Sequence, residues 1–202
     1  VKLKPLAALL VAAGLFSVGI GLGRQHGFDV ASFFQKDSKA PPLDFPVLDP
    51  SPPTKIVIPA IGVSAPIHGV GKDKDGSVAT PSLNLRNEAG WYREGPSPGQ
   101  FGPAIIVGHV DTKDKPAVFY RLKDLQPGAK VEIVRRDKQV AVFEVNSVEQ
   151  FSKETLPVSR VYQDFSRPSL RLITCGGSWV GGDLGYADNV VVFASLVESR
   201  KS

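Results

Sequence analysis

Apolar residues follow three different rhythms along this chain. From Leu6 to Leu22 there are 17 consecutive positions without a charge, preceded by Lys2, Lys4 and Pro5. Between residues 24 and 53 no period survives, and Asp37-Ser38-Lys39-Ala40-Pro41-Pro42 and Asp49-Pro50-Ser51-Pro52-Pro53 are rich in proline. From Thr54 onward, short apolar runs alternate with Gly, Pro and polar turns. Those at 55–58, 104–107, 130–135, 140–148, 170–174 and 190–196 read as strands. In 130–135 strict alternation places Val131, Ile133 and Arg135 on one face and Glu132 and Val134 on the other. Asp137-Lys138 then reads as a hairpin turn into the next run. Pro116 to Leu125 predicts one short helix, with Pro near its start and Phe119, Leu122 and Leu125 at helical spacing. Many short strands with little helix point to a mainly β domain, a barrel or a sandwich.

The first rhythm fits a membrane span at its short end, where roughly 17–25 residues are needed. Lysines ahead of it predict an N-terminus held in the cytoplasm. No A-x-A-like cleavage site precedes Arg24, so residues 1–23 are expected to be an uncleaved signal anchor. A cleaved signal peptide is the other reading. Both send the remaining chain across the membrane, as a single-pass protein with its domain outside the cytoplasm. Residues 24–53 then form an extended proline-rich stalk. Residues 54–202 are long enough for one domain with a real core.

Composition removes several classes. The formal net charge is +4, with both signs interspersed. No basic stripe with interleaved aromatics appears, so nucleic acid is not an expected partner. There is one cysteine, so the fold does not depend on internal disulfides. Three histidines and one cysteine without ligand spacing give no zinc signal, and no pattern calls for any metal or organic cofactor.

The lone cysteine is the strongest chemical feature. Cys175 closes the apolar run Leu170-Arg171-Leu172-Ile173-Thr174 and precedes Gly176-Gly177, which reads as a strand end with an accessible thiol. On these residues alone, packing and nucleophilic use are equally supported, because free cysteine is also a common buried hydrophobe. His109 follows a second apolar run, Ala104 to Gly108, and on these residues alone reads either as a structural histidine or as the base that a thiol nucleophile needs. His26 falls in the stalk and His68 on an expected surface turn. Asp111 could orient His109 or simply make an Asx-type turn. The amides after Cys175 could serve an oxyanion.

Gly108-His109-Val110-Asp111 and Leu172-Ile173-Thr174-Cys175, 66 residues apart from His109 to Cys175, resemble the two signatures of the sortases, cysteine transpeptidases of the Gram-positive cell surface. The resemblance covers about Thr54 to Val197 and is nearest the class F type. Ile58-Pro59-Ala60-Ile61-Gly62-Val63, Ala89-Gly90-Trp91-Tyr92, Ala117-Val118-Phe119-Tyr120-Arg121-Leu122 and Asp188-Asn189-Val190-Val191-Val192 support it. It implies an eight-stranded sortase β-barrel with one or two short helices. It also implies Cys175 as nucleophile, His109 as acid–base partner, and cleavage of an LPxTG-like sorting signal between Thr and Gly. A peptidoglycan-precursor amine, or water, would accept the acyl group. No carboxylate cluster suggests the calcium regulation seen in some sortases.

One position departs from that pattern. The family's catalytic arginine belongs in a Tyr-Arg-Asp-Asn-Val context, and here Tyr186-Ala187-Asp188-Asn189-Val190 has alanine. Three explanations fit Ala187: a deliberate substitution, a natural variant of weak activity, or a module that binds peptide without turnover. Arg171, four residues before Cys175, is expected to reach distal substrate or solvent instead of the thiol. An L,D-transpeptidase also pairs cysteine and histidine on a β fold. Its Ser-x-Gly-Cys motif is not present, since Thr174-Cys175-Gly176-Gly177 stands there.

Overall fold

Eight strands close on themselves in the order β1-β2-β3-β4-β7-β8-β6-β5. They are β1 (Pro53–Ile58), β2 (Val63–Val70), β3 (Ala89–Tyr92), β4 (Gly102–Val107), β5 (Lys130–Arg135), β6 (Gln139–Ser152), β7 (Pro168–Gly181) and β8 (Gly185–Lys201). The computed structural model describes residues 45–182 and 185–202, within the second of two units, Val1–Pro42 and Leu43–Ser202. The expected signal anchor, His26 and most of the stalk lie outside the described residues. Among the described residues no helix is long and apolar enough to cross a membrane.

Sequence pattern and burial agree strand by strand. In β5, Val131, Ile133 and Arg135 face inward and the alternate residues outward, as the alternation predicts. β4, the first half of β7 and the middle of β8 are instead buried at consecutive positions because both of their faces are covered, which is where alternation disappears. Their inner residues, such as Ile106, Leu170, Leu172 and Val192, join the barrel core. Their outer residues Ile105, Val107, Ile173, Val191 and Phe193 form a second apolar layer with Val161. Val161 belongs to a short helix, α1 (Val158–Tyr162), in the connection between β6 and β7. Each such side chain stabilises the fold by about 1.5–3 kcal/mol when fully buried.

Two expectations change. The helix predicted over 116–125 is a run of turns ending in a 3₁₀ turn at Leu122–Asp124. Its amides are already engaged: Ala117 N–H donates to Val110 C=O, Val118 to Arg86 and Phe119 to His109, at 2.8–3.0 Å. The amides that an α-helix would bond four residues back instead bond three back, Tyr120 N–H to Ala117 C=O, Leu122 to Phe119 and Leu125 to Leu122. Phe119, Leu122 and Leu125 are buried all the same, so the spacing marked core contact without marking helix.

The stalk expected over 24–53 does not extend to residue 53. Leu48 packs into the barrel core and its N–H donates to Gly99 C=O at 2.9 Å. Ser51 N–H donates to Ser97 Oγ at 3.0 Å. Arg135, an inward-facing charge, is the reason this segment is held. Its guanidinium donates to the carbonyls of Pro98 and Asp49 and pairs with Asp137 at 2.6 Å. Polar capture of backbone carbonyls binds a segment whose prolines leave it few donors of its own.

Candidate active site

β4 and β7 run parallel, with Ile105 beside Arg171, Ile106 beside Leu172 and Val107 beside Ile173. Gly108 N–H donates to Ile173 C=O at 3.1 Å and Thr174 Oγ1 donates to Gly108 C=O at 2.7 Å. These two bonds carry the register past the end of β4 and bring His109 alongside Cys175. Neighbouring strands lie about 4.8 Å apart, so the residues 66 positions apart in sequence become lateral neighbours. Gly108 has no room for a side chain, because a Cβ there would press on Val118 and Phe119 at 2.6–2.7 Å.

Cys175 is not at a strand end, as its sequence context suggested. β7 continues to Gly181 and pairs with β8 through Cys175 opposite Asn189 and Gly176 opposite Asp188. The register slips between Gly176 and Trp179. Gly177 takes φ +75° there, and a side chain would strike the Asp188 carboxylate. The thiol is reachable because it is only partly buried and lines a cleft beside β7.

His109 Nε2 lies 2.7 Å from Pro81 C=O. A carbonyl only accepts, so Nε2 carries the proton in the neutral ring and Nδ1 keeps the lone pair. Asp111 does not hold the imidazole. Its Oδ2 accepts from the Tyr186 hydroxyl at 2.5 Å, and that bond to a carboxylate pushes the tyrosine pKa up to about 12. Tyr186 also meets Trp179 edge to face at 5.2 Å. Leu83, His109, Asp111, Cys175, Trp179 and Tyr186 line one cleft of about 710 Å³. Sequence reasoning missed Leu83, Trp179 and Tyr186 as lining residues. Tyr186 could have been found from its place next to position 187.

Burial pushes the Cys175 thiol above its ordinary range, Lys153 opposes this by attraction, and Asp111 adds to it by repulsion. At neutral pH the resting sulfur is therefore protonated, and a base must take its proton before attack.

Ala187 lies on β8 between Tyr186 and Asp188. Among the described residues no arginine lines this cleft. Arg171 does not turn toward substrate or solvent. It is 4% exposed, stacks on Phe193 at 4.7 Å and lies 3.6 Å from Asp164. It belongs to the outer apolar layer. His68 sits on β2, not on a turn, and pairs with Glu88.

A closed mixed barrel with a cysteine on one strand and a histidine just past the end of the parallel strand beside it, lining one cleft, defines a thiol–imidazole enzyme class. A protein-family model described as Sortase domain matches residues 56–197. The chain belongs to the sortase family. Solved structures share the fold. Sortase A of Listeria monocytogenes aligns with a TM-score of 0.56 at 18% identity, over 75% of this chain and 91% of that one. A lid mutant of sortase A from Corynebacterium diphtheriae gives 0.57 at 20%, over 75% and 73%. The SrtA sortase from Actinomyces oris gives 0.56 at 24%, over 81% and 89%. A comparison with curated proteins returned no match.

Proposed function

We propose that this chain is a class F-like cell-surface cysteine transpeptidase that cleaves an LPxTG-like sorting signal between Thr and Gly. The observation that carries the reading is the lateral placement of His109 beside Cys175, held by the Gly108–Ile173 and Thr174–Gly108 bonds. Membership of the sortase family supports the substrate class. The lysines and apolar run at residues 2–22 support a single-pass anchor with the barrel outside the cytoplasm.

In this mechanism His109 Nδ1 takes the Cys175 proton and the sulfur attacks the threonine carbonyl carbon. The tetrahedral oxyanion collapses as the C–N bond to glycine breaks, and the imidazolium gives its proton to the departing amine. A thioacyl enzyme remains. An amine of a peptidoglycan precursor, or water, then attacks the thioester carbonyl, loses a proton to His109 and releases the Cys175 thiolate. Nε2 stays bonded to Pro81 throughout, which fixes the orientation of the ring. Leu83 and Trp179 offer apolar surface to the Leu-Pro part of the signal.

Ala187 gives no donor to the oxyanion, and losing one such donor typically costs about 10²–10³-fold in turnover. Slow cleavage is therefore expected. Chromatography of an LPxTG peptide incubated with the chain should show a Thr–Gly cut that disappears in Cys175→Ala and His109→Ala. Cutting retained in Cys175→Ala would overturn the assignment. The second reading, a peptide-binding module without turnover, rests on the same alanine together with the protonated thiol. It predicts titratable binding with no cleaved product.

A further inference from the structure

The cleft lacks an arginine at 187, but it does not lack a cation. We propose that Lys153 supplies the positive charge of the Cys175 site, reaching it from the end of β6 across the position that Ala187 leaves small. The proposal rests on the transpeptidase reading for its catalytic meaning, and on sheet register for its geometry.

β8 lies between β6 and β7, so one row of residues crosses all three strands. Phe151 of β6 is opposite Asn189 of β8, and Asn189 is opposite Cys175 of β7. Directly opposed residues share a face, and residues two apart along a strand share it as well. Ser152 opposite Asp188 is the last β6–β8 pair, and Lys153 and Ala187 are the residues next to it on the two segments. Ala187 follows Asn189 on the face that carries Cys175, and Lys153 leaves the sheet two residues after Phe151 of the same row. Lys153 does not continue the strand. It begins a 3₁₀ turn, Lys153–Thr155, whose Ser152 Oγ accepts from Glu154 N–H at 3.3 Å and which packs on β8. The turn fixes where the lysine stem leaves the sheet. The electrostatics agree with the register, because the Lys153 charge favours the Cys175 thiolate.

The other charged or titratable groups around the sulfur are placed differently. Asp111, on the loop after β4, opposes ionisation and is bonded to Tyr186 of β8. Asp188 sits one residue along β8 and accepts from Gln150 at 2.6 Å. Lys113 lines the cleft on the His109 side. Lys123 and Tyr120 border Cys175 from the turns after β4. Lys153 is thus the β6-side cation of the site. A lysine is a compact charge and lacks the planar fork of arginine. It would stabilise the thiolate, and the charge that passes to the carbonyl oxygen, without the paired hydrogen bonds an arginine makes. This assigns the chain a slow but working site.

The test uses the full chain and reads iodoacetamide alkylation of Cys175 by intact mass across pH. With one cysteine in the sequence, each adduct reports this thiol alone. Lys153→Gln should slow alkylation about three- to tenfold at fixed pH below the midpoint, equivalent to an upward midpoint shift of about half to one unit. Lys153→Arg should restore it. A thermal melt of each variant establishes that the fold survives. An unchanged profile in a folded Lys153→Gln, or an equal shift in Lys113→Gln, would overturn the assignment. LPxTG cleavage is measured in parallel. A Lys153 effect on alkylation with no peptide cleavage by the unmodified chain would sink the substrate reading and leave the cation in place. Cleavage with no Lys153 effect would do the reverse.

Discussion

Cys175 gains its chemistry from three neighbours that the linear sequence hides. His109 comes alongside through parallel pairing, Asp111 contributes repulsion, and Lys153 contributes attraction. Burial is the largest influence and holds the thiol protonated. The sign is direct: a raised thiol pKa means less thiolate at any pH below it. Alkylation of Cys175 in the native chain should therefore rise with pH around a midpoint above that of the same cysteine in the urea-unfolded chain. A native midpoint equal to or below the unfolded one would contradict this. Thr174 makes a sharper residue-scale prediction. Its hydroxyl holds Gly108 C=O within the site. Thr174→Val keeps the shape but leaves a buried acceptor unpaired, which costs about 1–3 kcal/mol. Urea melts should show that loss, and peptide cleavage should fall with it as His109 drifts from the sulfur. Sequence motifs identified Cys175 and His109 because these residue types are rare here. Lys153 gave no such signal, because its role depends on register between strands that are not consecutive in the chain.

At the scale of elements, β5 and its turn show what pattern reading catches and what it misses. Alternation placed Arg135 on the inner face, where a charge needs partners, and the structure supplies Asp137 and two carbonyls. The hydrogen bond from Arg135 holds the Asp137 carboxyl below its usual range. A depressed folded-state value stabilises the native state above the unfolded pKa, and that stabilisation is lost as pH falls through the folded one. Asp137→Asn should cost about 1–3 kcal/mol at pH 7. The cost should shrink steadily as the pH is lowered below about 4, where the unmodified carboxyl also becomes protonated. Denaturant melts at several pH values read both, and a pH-independent difference would exclude the charge explanation. The 116–125 segment shows the opposite lesson. Its apolar spacing suited a helix, but its first amides are tied to carbonyls at 86–110 and the later ones close three residues back, which local pattern does not reveal. β7 was cut short for a similar reason: glycines that looked like a turn make a bulge within a longer hairpin.

For the whole molecule, the eight-stranded closure matches what the sortase resemblance implied, and short turn-bounded runs already favoured a mainly β barrel or sandwich. Strand order did not follow from the sequence, since β4–β7 and β6–β8 are crossover pairings. The upstream limit of packing was also hidden. Proline content marked 45–53 as linker, whereas Arg135 and the Gly99 contact bind it to the barrel. A chain starting at Leu43 retains Leu48, Ser51 and both carbonyl partners of Arg135. One starting at Thr54 loses Leu48 and a carbonyl partner of Arg135, and should melt lower by about 2–5 kcal/mol, the usual cost of removing a buried leucine side chain alone. Equal melting of the two would show that the segment adds nothing.

On the proposed mechanism Cys175 occupies a working sortase site weakened at position 187. Intact mass spectrometry after incubation with an LPxTG peptide tests it most directly, comparing the chain with Ala187→Arg. A thioacyl adduct on Cys175 is expected in both, with turnover at least about tenfold faster in Ala187→Arg, a modest part of the usual oxyanion-donor effect. No adduct in either chain, with the thiol still alkylatable, would contradict it.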